Sequence, residues 1–139
     1  MSEIELCFSN MSMYVYFRDG IGALLKDYFP NEHTMIEIAT NEAINNAFNH
    51  GAHNSLNPFI QMKISMIAEQ KLYIRIKDSG NGFKHIMIKE QQLGEQIMRE
   101  SGRGLQIMNR VFDEIHYNAS GNEVTMIKKL DKSEDILDE

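Results

Sequence analysis

The chain has 139 residues, of which 24% are charged and 42% hydrophobic, with a formal net charge of -6. That is enough for one soluble domain with its own core and too little for two ordinary domains, so residues 1–130 are expected to form a single domain followed by an acidic tail, 131–139. No apolar run approaches the roughly 18 residues of a membrane span, no charged leader precedes an apolar stretch, and the acidic balance argues against direct nucleic-acid binding; the chain reads as cytoplasmic.

Ile4, Leu6 and Phe8 alternate with polar neighbours and predict an opening strand carrying the lone cysteine, Cys7, which has no internal disulfide partner and no placed base. From Met13 to about Phe29, apolar residues recur at helical spacing and stop at Pro30-Asn31; Gly20 and Gly22 interrupt this helix at a cost of about 1 kcal/mol each. Thr34, with Glu37 three residues on, predicts a capping box for a second helix that ends at Gly51. On that helix Glu42, Asn45, Asn46, Asn49 and His50 share one arc, opposite Ile36, Ala43, Ile44, Ala47 and Phe48. Asparagine is a mediocre helix former, so three within five residues point to ligand contacts. Phe59 to Ile67 and Lys71 to Lys77 predict a hairpin across Ala68-Glu69-Gln70, and its second strand runs into Asp78-Ser79-Gly80-Asn81-Gly82. A lid-length segment, Phe83 to Glu100, leads to Ser101-Gly102-Arg103-Gly104-Leu105, which opens an amphipathic helix. Glu114 to Asn118 and Glu123 to Leu130 predict two final strands, and the residues from Asp131 onward read as a solvated tail.

Three elements carry chemistry. Backbone amides freed by Gly102 and Gly104 at a helix start suit the phosphates of a nucleotide. Asp78, closing a strand, is placed to accept a hydrogen bond from an exocyclic amine such as that of adenine. Asn46 offers a hard oxygen ligand for Mg2+, which binds through few protein groups plus phosphate oxygens, and Glu42 one turn earlier is placed to accept a proton from an attacking hydroxyl. His50 and His53 lack the further ligands of a zinc site, and the methionines, Met108 among them, read mostly as core or lid filler.

In order and spacing, Glu42 to Gly51 resembles the N box, Asp78 to Phe83 the first glycine box and Ser101 to Met108 the second glycine box of the GHKL, or Bergerat-fold, ATPases, and within them the anti-sigma-factor serine/threonine kinases. The resemblance covers about Glu3 to Leu130. It implies an α/β two-layer sandwich with helices on one face of a mixed, mainly antiparallel sheet. It implies ATP and Mg2+ as cofactors, Glu42 as general base, Asn46 as metal ligand, and a nucleotide site drawn from Asn46, Asn49, His50, Asp78, Gly80, Gly82, Ser101, Gly102, Arg103, Gly104, Leu105 and Asn122. Where relatives often carry a Gly-Thr pair before the last strand, this chain has Gly121-Asn122, and Thr125 lies further on. The implied activity is phosphorylation of a Ser or Thr of a STAS-domain anti-anti-sigma antagonist, with binding of a sigma factor and a homodimeric state. The alternative is an ATP-binding partner-switching module without efficient transfer, or a domain of a larger signalling protein. Histidine autophosphorylation is not expected, since the helix before the N box contains no His.

Overall fold

A computed structural model describes residues 2–50, 56–68, 70–80 and 104–130. Five strands form one sheet in the order β1-β2-β3-β5-β4, with β1 Ser2–Phe8, β2 Ile60–Ile67, β3 Lys71–Asp78, β4 Glu114–Tyr117 and β5 Glu123–Lys129. All four pairings are antiparallel. Helices α1 (Met11–Tyr28), α2 (His33–His50) and α3 (104–111) complete the described fold. The expected α/β two-layer sandwich is therefore the observed architecture. Among the described residues no helix is long and apolar enough to cross a membrane.

The side chains explain the layering. On β3 the inward positions Leu72, Ile74 and Ile76 are each no more than 2% exposed, while Arg75 and Lys77 between them are exposed. Ile60, Met62 and Ile64 repeat the pattern on β2, and Val124 and Met126 on β5. Against this inner face pack Tyr14, Ile21 and Leu25 of α1, Ile36, Ala43 and Ile44 of α2, and Met108 and Val111 of α3. Each large apolar side chain so buried contributes about 1.5–3 kcal/mol, so one continuous core holds the layers.

Local signals set the helix ends. The Asn10 side chain accepts from the Met13 amide at 3.0 Å and caps α1. At the other end Phe29 leaves the helical region, as a residue before proline should, and its amide closes onto Leu25 O at 2.7 Å. The capping box predicted at Thr34 does not form. Helix α2 starts at His33, two residues before a Thr34 cap would place it; the Glu32 carbonyl accepts from the Ile36 amide at 3.1 Å, and Glu37 pairs with His33 Nδ1 at 3.1 Å instead of turning back to a Thr34 cap. Glu37 also lies over Gly22, where a β-carbon would require its carboxylate to move aside, so α1 and α2 meet closely at that glycine. The thiol of Cys7 is exposed.

The two glycines of α1 thus separate in role. Gly20 has open space around it, and Gly20→Ala should raise stability by about 0.5–1 kcal/mol through helix propensity. Gly22→Ala should gain less than Gly20→Ala, because the added methyl must push the Glu37 carboxylate aside. Chemical denaturation of both variants checks the pair, and equal gains would refute the close contact.

Candidate functional site

The site forms where α2, the end of β3, the start of α3 and the β4–β5 turn converge. Asp78 is the last inward position of β3, so the alternation that buries Ile74 and Ile76 carries a carboxylate to the edge of the core, where it is 6% exposed. The chain around it is fixed. The Asp78 amide donates to Asn122 O at 2.8 Å, Ser79 N donates to Phe59 O at 3.2 Å, and Phe59 N donates to Ser79 Oγ at 3.1 Å. One carboxylate oxygen, Oδ1, accepts from the Gly80 amide at 2.7 Å. Burial pushes the Asp78 carboxyl above the ordinary aspartate range, and the Gly80 amide opposes that rise without cancelling it.

Asn46 lines the same cleft from α2. Sequence periodicity put it on the arc opposite the core, but it is 9% exposed, because α3 closes over it: Asn46 Nδ2 donates to Met108 Sδ at 3.9 Å. The neighbouring Asn45 is half-buried and Asn49 is exposed. Glu42, half-buried one turn before Asn46, faces the start of α3 so closely that a β-carbon at Gly104 would stand 2.7 Å from its Oε2. The acid of the α2 motif and the last glycine of the G-x-G turn are thus adjacent, though 62 positions apart in the chain. Leu105 packs at the margin of the core.

The β4–β5 turn supplies the remaining wall. Gly121 adopts φ 78°, a conformation that favours glycine, and Asn122 Oδ1 accepts from Asn118 Nδ2 and Ser120 Oγ, each at 2.7 Å. Asn122 lines the cleft, but its side-chain oxygen is held within the turn. Thr125 pairs with Arg75 and His116 on the outward side of β5, and Val124 lines the cleft instead.

The sequence-predicted residues Glu42, Asn46, Asp78, Gly80, Gly104, Leu105 and Asn122 therefore fall in one region. Gly82, Ser101, Gly102, Arg103 and the predicted lid lie outside the described residues, as do the His50 side chain and His53. Sequence reasoning missed Met108, Val124, Ala43, Ala47 and Tyr117 as cleft walls. Met108 had a signal: it stands one turn after Gly104 and so shares its helix face. The part of the cleft bounded by described residues is open on one side, with Met108 among its walls. Among the described residues no group of three or more His, Cys, Asp or Glu side chains is arranged to hold a metal.

Residues 17–128 match the histidine kinase-like ATPase domain. Relatives include an anti-sigma F factor of Anoxybacillus flavithermus, 32% identical with 95% of each chain covered, and one of Geobacillus sp. (strain WCH70), 29% identical with 91% of this chain and 89% of the relative covered. A third anti-sigma F factor, from Bacillus licheniformis, is 27% identical with 95% of each chain covered.

The buried carboxylate makes a prediction with a definite sign. Because its folded pKa is raised, burying Asp78 is penalised only once the group ionises, so its stability contribution is intact below the unfolded pKa and is lost as pH rises through the folded pKa. Asp78→Asn, isosteric and still able to accept from Gly80, should therefore raise the melting temperature at about pH 7, with the gain disappearing toward about pH 3. Melting curves across that range test it; a loss of stability at neutral pH would mean the charge is compensated.

Proposed function

The chain belongs to the histidine kinase-like ATPase domain family, and on that premise we propose that it is an ATP-dependent serine/threonine protein kinase of the anti-sigma type. Its substrate in this reading is a serine or threonine of a STAS-domain antagonist. Its second partner is a sigma factor, held by a homodimer unless the antagonist displaces it. The observation that carries the reading is the contact of Glu42 with Gly104, which brings a carboxylate to the start of the helix that follows the glycine-rich turn, beside a cleft lined by Asp78 and Asn46.

Asp78 accepts a hydrogen bond from the exocyclic amine of the base, a task for the ionised carboxylate, and the Gly80 amide favours that form. The surrounding Ala43, Ala47, Ile76 and Val124 give the ring an apolar slot. Amides at the start of α3 face the phosphate end, where the helix dipole favours negative charge. Asn46 presents a carboxamide oxygen for Mg2+, which when bound neutralises phosphate charge; the donor set fits a cation that keeps most of its waters. Glu42 takes the proton of the substrate hydroxyl as its oxygen bonds to the γ-phosphorus. The bond to the β–γ bridging oxygen breaks and ADP departs. Positioning and electrostatics supply most of the acceleration in such a transfer.

Separate variants dissect these roles. Calorimetry should show Asn46→Ala losing binding of Mg-ATP, and tight binding by that variant would relocate the metal site. Glu42→Ala should keep nucleotide affinity yet lose about 10²–10⁴-fold in transfer to a STAS-domain partner, followed by mass spectrometry of the phosphorylated residue. Unchanged transfer would remove Glu42 as the base. Binding without any transfer by the parent chain would favour a partner-switching module that uses ATP as a ligand.

A further inference from the structure

We propose that the acidic segment 131–139 docks on a cationic stripe along the outer face of the sheet, the face away from the helices. β3 is the central strand, and its outward positions are Lys71, Tyr73, Arg75 and Lys77. Register places Arg75 opposite Lys63 of β2 and Lys71 opposite Lys129 of β5, while Lys77 faces Glu123 of β5. Like charges directly across a pair of strands repel, so two such pairs on one face of a chain with net charge -6 require countercharge from elsewhere. Lys63 finds it in Glu3 and Glu5 of β1, at 3.4 and 3.5 Å. Among the described residues, Lys71, Arg75, Lys77 and Lys129 form no ion pair. Toward β1 the stripe opens into a cleft of about 450 Å3 lined by Lys63, Arg75 and Lys77 together with Glu5 and Glu123.

A polar outer face is ordinary for an antiparallel sheet; uncompensated cations paired with one another are less so. The occupant follows from the path of the chain. Leu130 N donates to Gln70 O at 2.8 Å, so the chain leaves β5 beside Lys71, at one end of the stripe. The next nine residues hold five acids and one lysine. From Lys71 to Lys77 the strand spans about 20 Å. Nine extended residues reach about 30 Å, and the covalent tether supplies an effective concentration in the millimolar range.

The test keeps the chain whole and neutralises its end by Asp131→Asn, Glu134→Gln, Asp135→Asn, Asp138→Asn and Glu139→Gln. On self-repulsion alone this change, which takes the net charge from -6 to -1, should raise the melting temperature. Docking predicts the opposite sign: a fall of a few degrees at low salt that vanishes at about 0.5 M NaCl, where screening is nearly complete. Docking also predicts shifts in the backbone amide resonances of Tyr73, Arg75, Lys77 and Lys129. The fall should be absent in an Arg75→Gln/Lys77→Gln background, whose exposed glutamines leave the core untouched. A rise in melting temperature, resonance shifts confined to other elements, or an effect that depends on protein concentration would each overturn intramolecular docking.

Discussion

Successive side chains of β3 point to opposite faces of the sheet, and both the core and the site depend on that alternation. Leu72, Ile74, Ile76 and Asp78 form one row on the helix side. The strand is held on both flanks, by β2 and by β5, so a slip of one residue would exchange every member of that row for a charged or aromatic neighbour. With Ile74 and Ile76 almost wholly buried, such a slip would cost several side chains' worth of burial at about 1.5–3 kcal/mol each. The location of Asp78 therefore rests on the hydrophobic effect acting on its row partners, and the unfavourable burial of its charge is tolerated because the row is secure.

α2 plays the complementary part. Its Ile36, Ala43 and Ile44 seat it on the sheet, and the same seating brings Asn46 and Ala47 to the cleft. Glycine on α3 then lets a third element approach the Glu42 carboxylate closely, without that side chain moving aside. The cleft is assembled from backbone proximity, with Gly104 at one point of contact and the side chains of Glu42, Asn46 and Asp78 around it.

Much of this was legible before the coordinates. The period-two runs located the hairpin to within a residue or two, and the amphipathic runs located both long helices, since each pattern reflects burial on one side of a regular element. The start of α2 was misread because the Thr34–Glu37 spacing is a local signal, whereas Glu37 answers to His33 and to the approach of α1 over Gly22. The burial of Asn46 was illegible for the same kind of reason. Helical phase places it on the arc opposite the packed side, and its enclosure comes from Met108, 62 residues away. Likewise the spacing of Gly121-Asn122 did not disclose that Asn122 Oδ1 is held by Asn118 and Ser120, or that Val124 takes the inward position in the cleft.

Among the described residues the sheet is open, and β1 forms one of its edges with seven residues, a length that invites a further strand. Glu3 and Glu5 lie on its outward side, with Lys63 already engaging both from β2. An antiparallel pairing of β1 with β1 of another molecule would bring these glutamates close to their own counterparts, without a free lysine between them. Charge thus guards the edge against runaway strand addition, the route by which open sheets grow into aggregates.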